Sequence, residues 1–166
     1  MCAATGVTST ADLTAADIIS VHNCIADYAL CLDDAKTSRE AWKRWEELWT
    51  EDAVFRANRD LAGTGTVQKG RAEILKAFTA ILDRGTKRLA EEGFYTRHYV
   101  TNIRIEVTDG DVIATSAMVA VRHSRSADGE EIFVGRSGKY IDRLVRDAGQ
   151  WRFAERQLYY DPPDAS

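Results

Sequence analysis

The hydrophobic period of the chain changes once along its length. Ile18, Val21, Cys24, Ile25, Tyr28, Ala29 and Leu32 recur at three- and four-residue spacing, which predicts a helix over Thr14–Asp33 with one apolar face. Thr14, followed by Asp17 three residues on, is a loose capping signal at its start. The stripe ends on two adjacent carboxylates, Asp33 and Asp34. Ser38 is a good N-cap for a second, short helix reaching Leu48, with Trp42, Trp45 and Trp49 at helical spacing behind it. Glu51-Asp52 breaks that pattern, and Ala53–Arg56 reads as a short strand. Leu61–Gly70 carries Gly63, Gly65 and Gly70 and reads as a turn or flexible loop. Arg71–Leu82 reads as a third helix whose apolar face is Ile74, Leu75, Phe78, Ile81 and Leu82.

From Thr96 onward apolar and polar residues alternate. The strands expected are Tyr99–Thr108, Val112–His123, Ile132–Leu144 and Trp151–Tyr160, with Asp109-Gly110 and Ala127-Asp128-Gly129 as hairpin turns. Helices first and an antiparallel meander afterwards is an α+β order. Long twisted strands tend to curl. The expected fold is therefore a curled, mainly antiparallel sheet forming a cone-shaped cavity, an α+β barrel closed by the N-terminal helices. One domain is expected over 13–161, with 1–12 a frayed tail and 162–166 a second tail beginning at Pro162-Pro163. No internal repeat or linker interrupts it.

Composition narrows the class. The chain has 166 residues, 45% hydrophobic and 29% charged, a size and balance suited to one globular core without disulfides. Its net charge of −4 comes from interspersed acids and bases, so no basic stripe points to nucleic acid and no polybasic run to anionic lipid. Apolar runs such as Ile113–Val121 are too short and polar to span a bilayer, and Met1–Asp12 lacks the basic and apolar regions of a secretory signal. Cys2, Cys24 and Cys31 match no zinc or redox spacing. Cys24 and Cys31, seven apart on one helix face, read as buried hydrophobes in a reducing, cytoplasmic compartment. His22, His98 and His123 form no metal-ligand pattern, and glycine-rich phosphate loops and a nucleophile elbow are absent, so neither metal nor cofactor is expected.

His98 is the sharpest candidate for chemistry, because an imidazole can take and return a proton near neutral pH; its bland reading is a structural strand histidine. Asp33 at a helix C-terminus opposes the helix dipole and calls for a compensating partner, which His98 would supply. Asp33 would then hold the imidazole tautomer, as a carboxylate does in a triad. Asp34 falls off the apolar stripe. Tyr28 lies on that stripe and is either a core tyrosine or a donor to a substrate oxygen. Arg122 shares a strand face with Met118 and Ala120, and is either a surface arginine or a binder of phenolate or carboxylate. Asn102 either orients substrate or satisfies a strand end. Trp49, Phe55 and Met118 are candidates to line a pocket for a flat, aromatic or polycyclic ligand.

Several segments in order resemble the SnoaL-like branch of the nuclear-transport-factor-2-like superfamily. They are Tyr28–Asp33, Trp49–Phe55, Gly70–Ile74, Arg97-His98 with Asn102, Gly138–Asp142 and Trp151–Arg156. The resemblance implies a cofactor-independent lyase of the scytalone dehydratase and bile-acid dehydratase kind, with Tyr28, Asp33 and His98 at the positions that carry catalysis there. It also implies a small hydrophobic or phenolic substrate and a homo-oligomer, a trimer before a dimer; the apolar residues Ile103, Ile105, Val119 and Val121 on an outer sheet face agree with that. Arg122 stands where the bile-acid enzymes carry another carboxylate. An isomerase using the same base is a close variant. The half from Arg97 to Asp161, including Phe133–Arg136 and Tyr160-Asp161, also resembles the small subunit of aromatic-ring-hydroxylating dioxygenases, which implies a non-catalytic partner of a larger iron-bearing subunit.

Overall fold

A computed structural model describes residues 13–58, 65–126 and 129–161. The two expected tails, Cys2, the Ala127-Asp128 part of one turn and most of the expected loop before Gly65 lie outside the described residues. The elements are α1 (Ala15–Asp34), α2 (Arg39–Glu46), β1 (Trp49–Ala57), β2 (Thr66–Lys69), α3 (Arg71–Glu92), β3 (Tyr95–Thr108), β4 (Asp111–Ser126), β5 (Gly129–Asp147) and β6 (Gln150–Tyr160).

Helix α1 starts where the capping signal places it. The Asp17 N–H donates to Thr14 Oγ1 at 3.1 Å and the Thr14 N–H donates to Asp17 Oδ2 at 3.2 Å, so two otherwise orphaned donors are satisfied reciprocally. By length and composition α1 is apolar enough to cross a membrane, a property that uninterrupted apolar runs do not reveal. Here its Val21, Cys24, Ile25 and Tyr28 side chains are buried in the protein core. Ser38 caps α2 by accepting the Ala41 N–H. Helix α3 continues ten residues beyond the expected Leu82. Gly85 and a polar run end the apolar pattern there, but Arg88–Glu92 pairing at 2.9 Å supports the extra turns. Gly93, at φ 63, ends the helix in the left-handed conformation that a glycine adopts without strain.

The sheet order is β2-β1-β6-β5-β4-β3. The β1–β6 pairing is parallel and the other four are antiparallel. The α+β class holds, but the curled, cone-shaped barrel closed by N-terminal helices does not. Closure needs hydrogen bonds between the two edge strands, and β2 and β3 do not pair. Helix α3 follows β2 and packs on β1, β2, β3 and β4, so a helix occupies the ground between the edges. The result is an open mixed sheet with a helix-lined cleft on one face. The expected loop before Gly70 also yields a real edge strand, β2, because Thr66–Lys69 pairs with Val54–Ala57.

Two bulges decide which side chains face inward. The β3–β4 register shifts between Thr101 and Arg104, where Asn102 has φ 53. His98 and Val100 precede the shift; Ile103 and Ile105 follow it and pack against the core. Those two isoleucines were expected on the outer face, and the bulge reverses their phase. The β4–β5 register shifts at Gly135, where Ala120 pairs with Arg136 but Val121 with Val134.

The thiols behave as buried hydrophobes. Cys24 is 5% exposed, and burial pushes its pKa up to about 12. At mildly alkaline pH only about one Cys24 in 10⁴ would be a thiolate, the reactive form. Iodoacetamide should therefore leave Cys24 unmodified in the native protein and label it after unfolding, as read by peptide mass spectrometry; rapid native labelling would contradict this packing.

Candidate functional site

The C-terminus of α1 meets β3 through two adjacent acid–base pairs. Arg97 reaches Asp34 at 2.6 Å on the exposed side. On the inner side His98 Nδ1 lies 2.7 Å from Asp33 Oδ1, and the His98 backbone N–H donates to Asp33 Oδ2 at 2.6 Å. Lys36 Nζ stands 3.7 Å from the same carboxylate and donates to the Asp33 carbonyl at 3.3 Å. The two His98 nitrogens and the Lys36 charge thus offset a carboxylate placed against the helix dipole. Burial pushes the Lys36 ammonium pKa below its ordinary value despite the opposing pull of Asp33.

The Asp33 side chain is 3% exposed and that of His98 is 23% exposed. A carboxylate accepting from Nδ1 puts the ring proton there and leaves the Nε2 lone pair free. That tautomer is a base with its orienting partner already in place.

His98 borders two lobes of a largely apolar cleft between α1, α3 and the sheet, of about 380 and 420 Å³. Leu32, Ile81, Arg84, Arg136 and Tyr160 border both lobes with it. Met118 and Arg122 line the first lobe; Tyr28, Phe55 and Tyr140 line the second. Trp49 and Asn102 are not brought to the cleft. Trp49 is fully buried in the core with its ring 5.9 Å from that of Tyr28. Asn102 is exposed at the β3 bulge. Among the described residues, no three His, Cys, Asp or Glu side chains gather in a geometry that could hold a metal.

Tyr28 sits over a buried ion pair that the alternation left unread. Arg156 Nε and Nη2 donate to Asp142 Oδ1 and Oδ2 at 2.7 and 2.6 Å, with both side chains fully buried. The two residues are direct cross-strand neighbours of β5 and β6. The guanidinium carbon lies 3.8 Å from the Tyr28 ring centroid and 4.1 Å from that of Tyr140. Burial raises the pKa of both phenols, which keeps their hydroxyls protonated and able to donate. The signal for the pair was present in the sequence. Asp142 shares the phase of Tyr140 and Leu144, and Arg156 that of Leu158, so each charge occupies an apolar position. Arg136 is legible in the same way, in phase with Gly138 and Tyr140.

An α+β fold with a buried His–Asp pair beside an apolar cleft defines a small-molecule site consistent with acid–base chemistry. The SnoaL-like domain model matches residues 14–157, and the chain belongs to that family. No curated protein matches the chain. Among solved structures, a variant of Rv3472, a protein of unknown function from Mycobacterium tuberculosis, is similar at 28% identity and TM-score 0.60, over 90% of this chain and 75% of that one. A protein from Catenulispora acidiphila is similar at 25% identity and TM-score 0.66, over 89% and 93% of the two chains. The fold likeness extends to the beta subunit of a candidate aromatic-ring-hydroxylating dioxygenase from Novosphingobium aromaticivorans, at 21% identity and TM-score 0.60, over 92% and 95%.

Proposed function

We propose that this protein is a cofactor-independent lyase in which His98, set by Asp33, removes a proton from an activated carbon or hydroxyl of a small aromatic or polycyclic substrate. Loss of water or cleavage of a C–C bond follows. The observation that carries the reading is the double hold of Asp33 on His98, through ring and backbone, at the junction of the two lobes. Tyr28, protonated and backed by Arg156, donates to the oxygen that gains charge. Arg122, Phe55 and Met118 hold the substrate in the lobes they line. An isomerase would share the proton abstraction and differ only in where the proton returns.

Solvent-deuterium incorporation tests proton abstraction from carbon, whichever bond breaks after it. A panel of flat apolar carbonyl compounds with acidic C–H groups is incubated in D₂O with a chelator. Wild type should exchange or dehydrate at least one member, and His98→Ala should not. Activity lost with chelation and restored by metal would remove the cofactor-free reading. The likeness to a dioxygenase beta subunit supports a second reading, a non-catalytic partner of a larger iron-bearing subunit. Activity of the purified chain alone excludes it. We further propose that the chain assembles with itself, a trimer before a dimer, with Tyr99, Ile132 and Val134 as exposed apolar residues of β3 and β5 available to the contact; a monomeric mass by light scattering would rule this out.

A further inference from the structure

The chain carries a net charge of −4, yet the surface of its cleft has the opposite sign. Lys36, Arg84, Arg88, Arg122 and Arg136 line the two lobes, and among the described residues no aspartate or glutamate lines either lobe. Two of these cations are spoken for: Lys36 leans on Asp33, and Arg88 on Glu92. Among the described residues Arg84, Arg122 and Arg136 have no carboxylate within ion-pair distance. Arg122 and Arg136 are half-buried diagonal neighbours, since Arg136 pairs with Ala120 and Arg122 lies two residues further along the same face of β4. Like charges so placed repel, and the repulsion is stronger where water is partly excluded.

The fold makes room for this arrangement. A Cβ on Gly135 would lie 2.5 Å from Arg122 Nε and 2.7 Å from its Cδ. The Arg122 side chain therefore lies across the bare backbone of the bulge, beside Arg136, where any other residue would displace it. Guanidinium forks in a half-buried, apolar setting match the planar, bidentate geometry of a carboxylate.

We infer that the cleft takes an anionic substrate, a carboxylate on an apolar ring system, with the carboxylate bound between Arg122 and Arg136 in the first lobe and the rings running past His98. Arg136 binds the anion directly, and Gly135 is a positioning residue that acts through Arg122. The inference rests on the proposed site for its location, but not on the proton transfer.

Calorimetric titration of the purified protein with naphthoate, and with the neutral isostere naphthamide, tests it. Naphthoate should bind at least about tenfold tighter, and rising salt should weaken naphthoate alone. Arg122→Gln and Arg136→Gln should each remove most of that preference. Gly135→Ala should weaken naphthoate several-fold and leave naphthamide unchanged, which a merely structural role for Gly135 would not do. Equal affinities for the two probes, binding of neither at millimolar concentration, or a preference that survives both arginine changes would overturn the inference. Should a variant fail to fold, the salt dependence and the naphthamide comparison on wild type still decide it. His98→Ala separates the two claims. A carboxylate preference kept alongside undiminished turnover sinks the catalytic reading alone, and lost turnover without any preference in wild type sinks the anion site alone.

Discussion

His98→Ala should lower turnover by roughly 10²–10⁴-fold, the usual contribution of a positioned general base, while leaving the fold intact. The side chain is partly exposed to the cleft and its loss opens no core cavity. Asp33→Asn should also be severe, for a reason visible in the geometry. Asp33 Oδ2 accepts the His98 backbone N–H, so an asparagine would place its carbonyl oxygen there. Its NH₂ would then face Nδ1 and donate to it. That forces the ring proton onto Nε2 and removes the lone pair the reaction uses. Because the two residues act as one unit, the double variant should be scarcely slower than His98→Ala alone. Circular dichroism establishes folding, and turnover on a substrate identified by deuterium exchange gives the rates. Near-wild-type turnover in folded His98→Ala excludes the mechanism.

The second large effect is on stability. Asp142→Leu should destabilise the protein by about 3–5 kcal/mol, because it strands the Arg156 guanidinium as an unpaired charge in the core. That is a large share of the roughly 5–15 kcal/mol that holds a domain folded. Burial holds the Asp142 carboxyl above its ordinary pKa even with Arg156 opposing it, so the ionised form is less comfortable in the fold than in water. Against the effect of burial, Asp142 in turn raises the Arg156 pKa, so attraction and desolvation oppose each other across the pair. Because taking two charges out of water costs about what their attraction returns, Asp142→Leu with Arg156→Met should recover most of the loss. Urea unfolding of the two single variants and the double variant measures this. A double variant no more stable than the less stable of the two singles would show that the pair does stabilise the fold. The recovered protein should still be impaired in turnover, since Arg156 supports the Tyr28 ring from below.

Local pattern put His98 one residue ahead of an expected strand, which the structure extends back to Tyr95, and Asp33 at the end of a helix, and the electrostatic awkwardness of Asp33 already asked for a partner. Helix α1 with its capping box and the burial of Cys24 and Cys31 were likewise legible, since each depends on residues close together in the chain, and the family was legible from short segments in a fixed order. Alternation also put Arg122 in phase with Met118, which is where the cleft finds it. Tertiary structure alone decided the rest. Period-two reading carries a phase along a strand, and the bulges at Asn102 and Gly135 reset it; Ile103 and Ile105 turned inward for that reason, and Arg122 gained a glycine to lie against. Whether a sheet closes depends on its two edges meeting. Those edges, β2 and β3, are separated in sequence by α3, which no local pattern carried past Leu82. The same long-range assembly set Arg136 beside Arg122 and buried Asp142 against Arg156, because charges in apolar phase disclose their partners only when the strands are in register.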